Sequence, residues 1–161
     1  MFGLKGSLFL SGICAFFGHR DTFINDELEQ KVESIVVDLI NNGMDEFWVC
    51  NEGNFDWLSR MVMSRVKQEY CHFIAVCYIC AYNPDKFSAI KQDNLLQKYE
   101  LIYPDEVAKV PKKFAIEKRN QYIVDNADVI VCFVQRKKGG AYRAVHRAEK
   151  QRKKIINLAL I

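Results

Sequence analysis

The chain has 161 residues, half of them apolar and including eleven Phe and seven Tyr, which excludes a disordered chain and fits one domain with a single sizeable core. Its net charge of +3 is unevenly spread: nine Lys or Arg and one acid fall between Arg136 and Lys154, a local +8 on an otherwise acidic chain. Such a basic end suits an anionic ligand or a nucleic acid, and equally a solvated helix face, which is the commoner outcome.

Residues 1–12 are apolar but broken by Gly3, Gly6, Ser7, Ser11 and Gly12. With one basic residue and no small-residue cleavage pattern, they read as a poorly ordered lead-in to a single domain over 13–161 rather than a signal peptide. No stretch approaches membrane-spanning length, and the cytoplasm is the expected setting.

Ile13 to Phe17 reads as a short buried strand that stops at Gly18-His19-Arg20-Asp21. A helix follows, opened by a capping-box pattern at Asp26 and Glu29, with Leu28, Val32, Ile35, Val36 and Leu39 on one face. Asn42-Gly43 ends it. Residues 46–50 form the next strand, and the polar turn Asn51 to Asp56 leads into a second helix starting near Asp56. The run 73–80 is a third strand, apolar throughout and so covered on both faces.

Residues 81–113 hold all three prolines and are irregular, with a short helical piece at 94–99 and a short strand at 101–103. This region is expected to cover the edge of a site rather than to form a second domain. A helix at 114–126 feeds the β-branched strand 129–134, and Gly139-Gly140 opens a basic helix at 141–152 before a final strand at 155–160. Strand and helix alternate, which predicts an α/β fold with a mainly parallel sheet and helices on both faces.

The six cysteines read as free core thiols. Cys77 and Cys80, with Cys71-His72 upstream, lack the second ligand pair that a zinc site needs, so no metal is expected, and no cofactor is either.

Three polar turns follow strands: Gly18-His19-Arg20, Glu52-Gly53-Asn54-Phe55-Asp56 and Lys137-Lys138-Gly139-Gly140. In a doubly wound sheet all three converge on the edge where such folds bind ligands. Glycines allow close approach to a phosphate, Arg20 or Arg119 can pair with its oxygens, and Glu52 or Asp56 can accept from ribose hydroxyls. His19 either contacts a ligand or caps its strand. No GxGxxG and no GxxxxGK[ST] follows any strand, which argues against a standard dehydrogenase and a P-loop NTPase.

Phe17-Gly18-His19-Arg20 resembles the opening of the YpsA-like branch of the SLOG superfamily, whose relatives include LOG phosphoribohydrolases and Smf/DprA proteins. Glu52-Gly53 with Asp56-Trp57 resembles its second glycine turn, and Arg119-Asn120 followed by Ala127-Asp128 its stretch before a core strand. Gly139-Gly140 resembles its glycine turn, so the likeness runs in order over 13–160. It implies a modified Rossmann-like three-layer fold with a nucleotide-like ligand held by Gly18, His19, Arg20, Glu52, Gly53, Asp56, Arg119, Asn120, Gly139 and Gly140. In LOG enzymes the turn reads PGGxGTxxE, but here the positions of its Pro and catalytic Glu fall on Lys138 and His146. Without that carboxylate, no catalytic residue is assigned.

The expected function is therefore binding or sensing of a nucleotide-like small molecule without turnover. Hydrolysis of an N-glycosidic or phosphoester bond is one alternative, with Glu52, Asp56 or His19 in place of the lost Glu. Single-stranded nucleic-acid binding through Arg143, Arg147, Lys150, Arg152, Lys153 and Lys154 is the other. Those cations have little aromatic interleaving beyond Tyr142, and base stacking is what such proteins add to charge, so nucleic acid is not the expected partner. A homo-oligomer is possible through Phe47, Trp48 and the aromatic N-terminus, and no membrane contact is expected.

Overall fold

A computed structural model describes residues 11–86 and 99–161. Most of the lead-in, and the helical piece expected at 94–99 up to residue 98, fall outside them. Ser11 and Gly12 are held by Asp45, whose Oδ1 accepts from Ser11 Oγ at 3.2 Å and from the Gly12 N–H at 3.0 Å.

Six strands form one all-parallel sheet, β1 (Ile13–Gly18), β2 (Glu46–Val49), β3 (Ala75–Ile79), β4 (Glu100–Ile102), β5 (Val129–Phe133) and β6 (Lys154–Asn157), in the order β4-β3-β2-β1-β5-β6. Among the described residues the α-helices are α1 (Asp26–Asn41), α2 (Asn54–Glu69), the single turn α3 (Asp105–Ala108), α4 (Ala115–Asn126) and α5 (Gly140–Lys150). Successive residues of a strand face opposite ways, so each central strand feeds two cores. Cys14 and Phe16 of β1 pack with α1 and α2, whereas Ala15 and Phe17 pack with α4 and α5. The fold is thus the expected three-layer, Rossmann-like α/β arrangement.

Several boundaries differ from the sequence expectation, each for a physical reason. The N-cap of α1 is Asn25, whose side chain accepts from the Leu28 N–H at 2.8 Å, so Asp26 is the first helical residue and makes no capping box. The run 73–80 does not enter the sheet as a whole: Phe73 is 97% exposed and β3 begins at Ala75. The final apolar run leaves the sheet after Asn157 for a 3-10 turn at Leu158–Leu160. Phe47 and Trp48 lie in the core and offer no surface for oligomerisation.

Cys14, Cys50, Cys77, Cys80 and Cys132 are buried free thiols, and burial pushes Cys50, Cys77 and Cys132 up to about 12. Among the described residues no group of three or more His, Cys, Asp or Glu could hold a metal ion, and no helix is long and apolar enough to cross a membrane.

Candidate functional site

After β1 the chain crosses one way through β2 and β3 to β4, whereas β5 and β6 run out on the other side. The reversal lies between β1 and β5, and in parallel sheets a crevice opens there beyond the strands' C-terminal ends. Here it is a pocket of about 390 Å³. Nine of the ten residues singled out above line it: Gly18, His19, Arg20, Glu52, Asp56, Arg119, Asn120, Gly139 and Gly140. Gly53 sits behind them, at φ 132, where an added Cβ would lie 2.5 Å from Arg20 Cα. Its glycine lets the β2–α2 and β1–α1 loops pack together.

The two loops are joined further by polar contacts. The Asn54 N–H donates to the Arg20 carbonyl at 3.0 Å, Asn54 Nδ2 donates to the Thr22 carbonyl at 3.1 Å, and Arg20 Nη2 reaches Glu52 Oε2 at 3.3 Å. Asp56, in the pocket wall, also braces the β2–α2 loop. Its Oδ2 accepts from the Glu52 N–H at 2.7 Å, and burial holds its pKa above the ordinary value despite the nearby Arg119 charge.

Arg119 projects from α4 and is 1% exposed. Its Nε donates to Asn120 Oδ1 at 3.2 Å, but Nη1 hydrogen-bonds to no described residue. The nearest carboxylate oxygen is Glu52 Oε1 at 3.6 Å, too long for a hydrogen bond. A buried guanidinium with an unsatisfied donor in a pocket wall is a strong anchor for an anion. The same pocket is lined by the start of α5, where Gly139 (φ 91) is the N-cap and no side chain caps the helix, leaving its leading N–H groups without an intrahelical partner. Gly139 takes the left-handed backbone at the N-cap of α5, a conformation that glycine adopts without strain.

His19 proves to be a brace. Its Nε2 accepts from the backbone N–H groups of Gln135 and Arg136, each at 3.1 Å, so the β1–α1 loop holds the β5–α5 loop. This requires neutral imidazole protonated on Nδ1. Burial lowers the His19 pKa below its ordinary 6.5, helped by the Arg136 charge and opposed by Asp21. A depressed folded-state pKa contributes stability that is present above the unfolded value and lost as pH falls through the folded one. The urea midpoint should therefore drop on acidification from about pH 7 to about pH 5, and His19→Ala should flatten that drop. An equally steep drop in the variant would remove His19 as its source.

The sequence reading missed Asp21 and Arg136, which also line the pocket. Arg136 forks onto Asp21, with Nη1 2.9 Å from Oδ2 and Nη2 on Oδ1, and these hydrogen bonds hold the Asp21 carboxyl down to about 2. His146, at the LOG glutamate position, does not line the pocket; it is exposed, stacks on Tyr142 and lies 3.3 Å from Glu149. The basic helix face is largely paired within the fold: Arg147 with Asp125, and Arg143 with Glu117.

The pocket does not end at its own rim. A depression of about 430 Å³ adjoins it across His19, Asp21 and Arg136. A third, of about 260 Å³ between α4 and α5, adjoins it across Ile116, Asn120 and Gly140. The central pocket thus shares walls with two depressions, one through each of these two sets of residues.

No protein-family model matches the chain, and no curated protein matches it by sequence. Solved structures do share its fold. DNA processing protein A (DprA) from Streptococcus pneumoniae superposes with a TM-score of 0.66 at 15% identity, over 89% of this chain and 49% of that one. DprA from Helicobacter pylori, whose structure describes a single-stranded DNA binding mode, gives a TM-score of 0.62 at 15% identity, over 89% of this chain and 63% of that one. The chain thus spans less than two thirds of the length of either protein. At this identity the likeness establishes the fold alone. It also overturns the expectation that nucleic acid is not the partner, since a protein built on this fold binds single-stranded DNA. That expectation counted aromatic residues only beside the basic tail, whereas Phe23, far from it in sequence, lines the depression beside the pocket and is 79% exposed.

Proposed function

We propose that this chain binds single-stranded nucleic acid across the central pocket and the depressions that adjoin it, with one backbone phosphate seated between the start of α5 and Arg119. The observation that carries this reading is that two further depressions share wall residues with the central pocket. A single nucleotide needs only the central pocket, and a strand accounts for the depressions on either side of it. The Helicobacter pylori protein supports it by analogy of fold. The free core thiols fit the reducing cytoplasm we assign to it.

The test is fluorescence anisotropy with labelled oligo(dT) and oligo(U) over a salt series, the pair separating DNA from RNA. Binding should weaken as salt rises, and Lys138→Ala, which removes an exposed pocket cation, should lower the slope of log K against log salt by about 0.7. Absence of binding to both oligomers at low salt would reject the reading.

A second reading, closer to the YpsA-like resemblance, is a nucleotide-derived small molecule in the central pocket alone. It is favoured by the depth at which Arg119 lies beside Glu52. A melting-temperature gain with mononucleotides, cyclic nucleotides or ADP-ribose, without oligonucleotide binding, would select it. Hydrolysis finds less support, because the position of the LOG glutamate is the exposed His146 outside the pocket.

A further inference from the structure

We propose that the depression between the β1–α1 and β5–α5 loops is a second nucleotide subsite, in which a base stacks on Phe23 while its phosphate takes Arg136 from Asp21. This rests on the strand-binding reading and names where the neighbouring nucleotide goes.

Exposed aromatic rings are common and mean little by themselves. Phe73 is 97% exposed, but it precedes β3 and so lies at the opposite edge of the sheet. Phe23 is different in place. It lies on the β1–α1 loop, 79% exposed, and lines a depression that shares His19, Asp21 and Arg136 with the phosphate pocket. An aromatic face beside a phosphate site is the arrangement with which single-strand binders accept any base, since every base has a π-face. Gln135 lines the same depression, and its side-chain amide makes no hydrogen bond among the described residues, leaving it free for a base edge.

The acids of this depression do not argue against an anionic ligand. Glu27 is paired with Lys31 at 2.7 Å, and Asp21 with Arg136. The second pair stands on the boundary between the two depressions, with both side chains largely in solvent. A planar guanidinium binds carboxylate and phosphate oxygens with the same fork. Asp21 therefore occupies on Arg136 the place a linking phosphate would take. An exposed ion pair of this kind holds weakly, so exchange for a phosphate costs little.

Titration calorimetry with 5′-phosphorylated thymidine mononucleotide, dinucleotide and 20-mer tests this. The dinucleotide should bind about tenfold tighter than the mononucleotide or better, as expected for one stacked base. Phe23→Ala should abolish that gain and Phe23→Trp should keep it. The Phe23 ring is exposed, so its truncation opens no core cavity. Asp21→Asn should tighten dinucleotide binding, because Arg136 no longer has to be released. A 20-mer that binds the wild type and Phe23→Ala equally would overturn the subsite and leave the strand-binding reading standing. Failure of the 20-mer to bind the wild type would overturn both.

Discussion

Gly18→Ala should prevent stable folding, with a loss of about 3 kcal/mol or more. A Cβ built at Gly18 lies 2.3 Å from both Cβ and Cγ of Phe55, far inside van der Waals contact. The obstruction is the root of the Phe55 side chain, not a flexible tip that could swing away. Neither partner can retreat. Gly18 closes β1 in register with Phe133 of β5, and Phe55, fully buried in the first turn of α2, packs its ring on Phe133 with centroids 6.4 Å apart. Methyl insertion must therefore separate α2 from the sheet. Thermal melting by circular dichroism checks this, and a variant melting with the wild type would show that the contact is not as tight as described. This glycine, read from the sequence as room for a phosphate, is required for helix packing.

Gly140→Asp should do the reverse, weakening oligonucleotide binding by at least about tenfold while the melting temperature holds or rises. A Cβ here meets nothing closer than Asn120 Nδ2 at 3.6 Å, and the residue is not in the left-handed region. A carboxylate in the first turn of α5 also suits the helix dipole, a gain of about 0.3–1 kcal/mol. The same carboxylate would occupy the ground offered to a phosphate and repel it. Anisotropy titration together with a melting curve reads both effects. Undiminished binding would place the phosphate elsewhere, while lost binding with a lowered melting temperature would point to damage of the fold instead.

The strands and helices were legible wherever a periodic or β-branched run was long enough to show its own pattern. Residues 129–134 state a doubly covered strand plainly, and β5 is there. Where an apolar run outlasts the sheet, as at Phe73 and Leu160, composition cannot say at which residue the chain turns into solvent. The choice between Asn25 and Asp26 as N-cap was of the same kind: both side chains can cap, and only the local backbone decides. In the site, the turns were readable because a parallel sheet sends every one of them to the same edge. The Asp21–Arg136 pair was not, since the partners are 115 residues apart and neither belongs to a motif. His19 was ambiguous for a related reason: its hydrogen-bond donors are backbone amides 116 and 117 residues away, and backbone amides leave no mark on a sequence.

The pairing of β1 with β5 sets a timetable for folding. The Ile13 N–H donates to Asp128 Oδ2 across 115 residues of chain, and the same separation runs along the whole β1–β5 seam. Contacts so distant must await closure of a very long loop, which slows folding and makes such pairing late. One edge of β1, bearing the backbone of Cys14 to Gly18, therefore finds its partner only when β5 docks. The pocket draws its walls from both sides of this seam, His19 following β1 and Gly139 and Gly140 following β5. A chain ending before β5 lacks Gly139 and Gly140, and with them one part of the pocket wall.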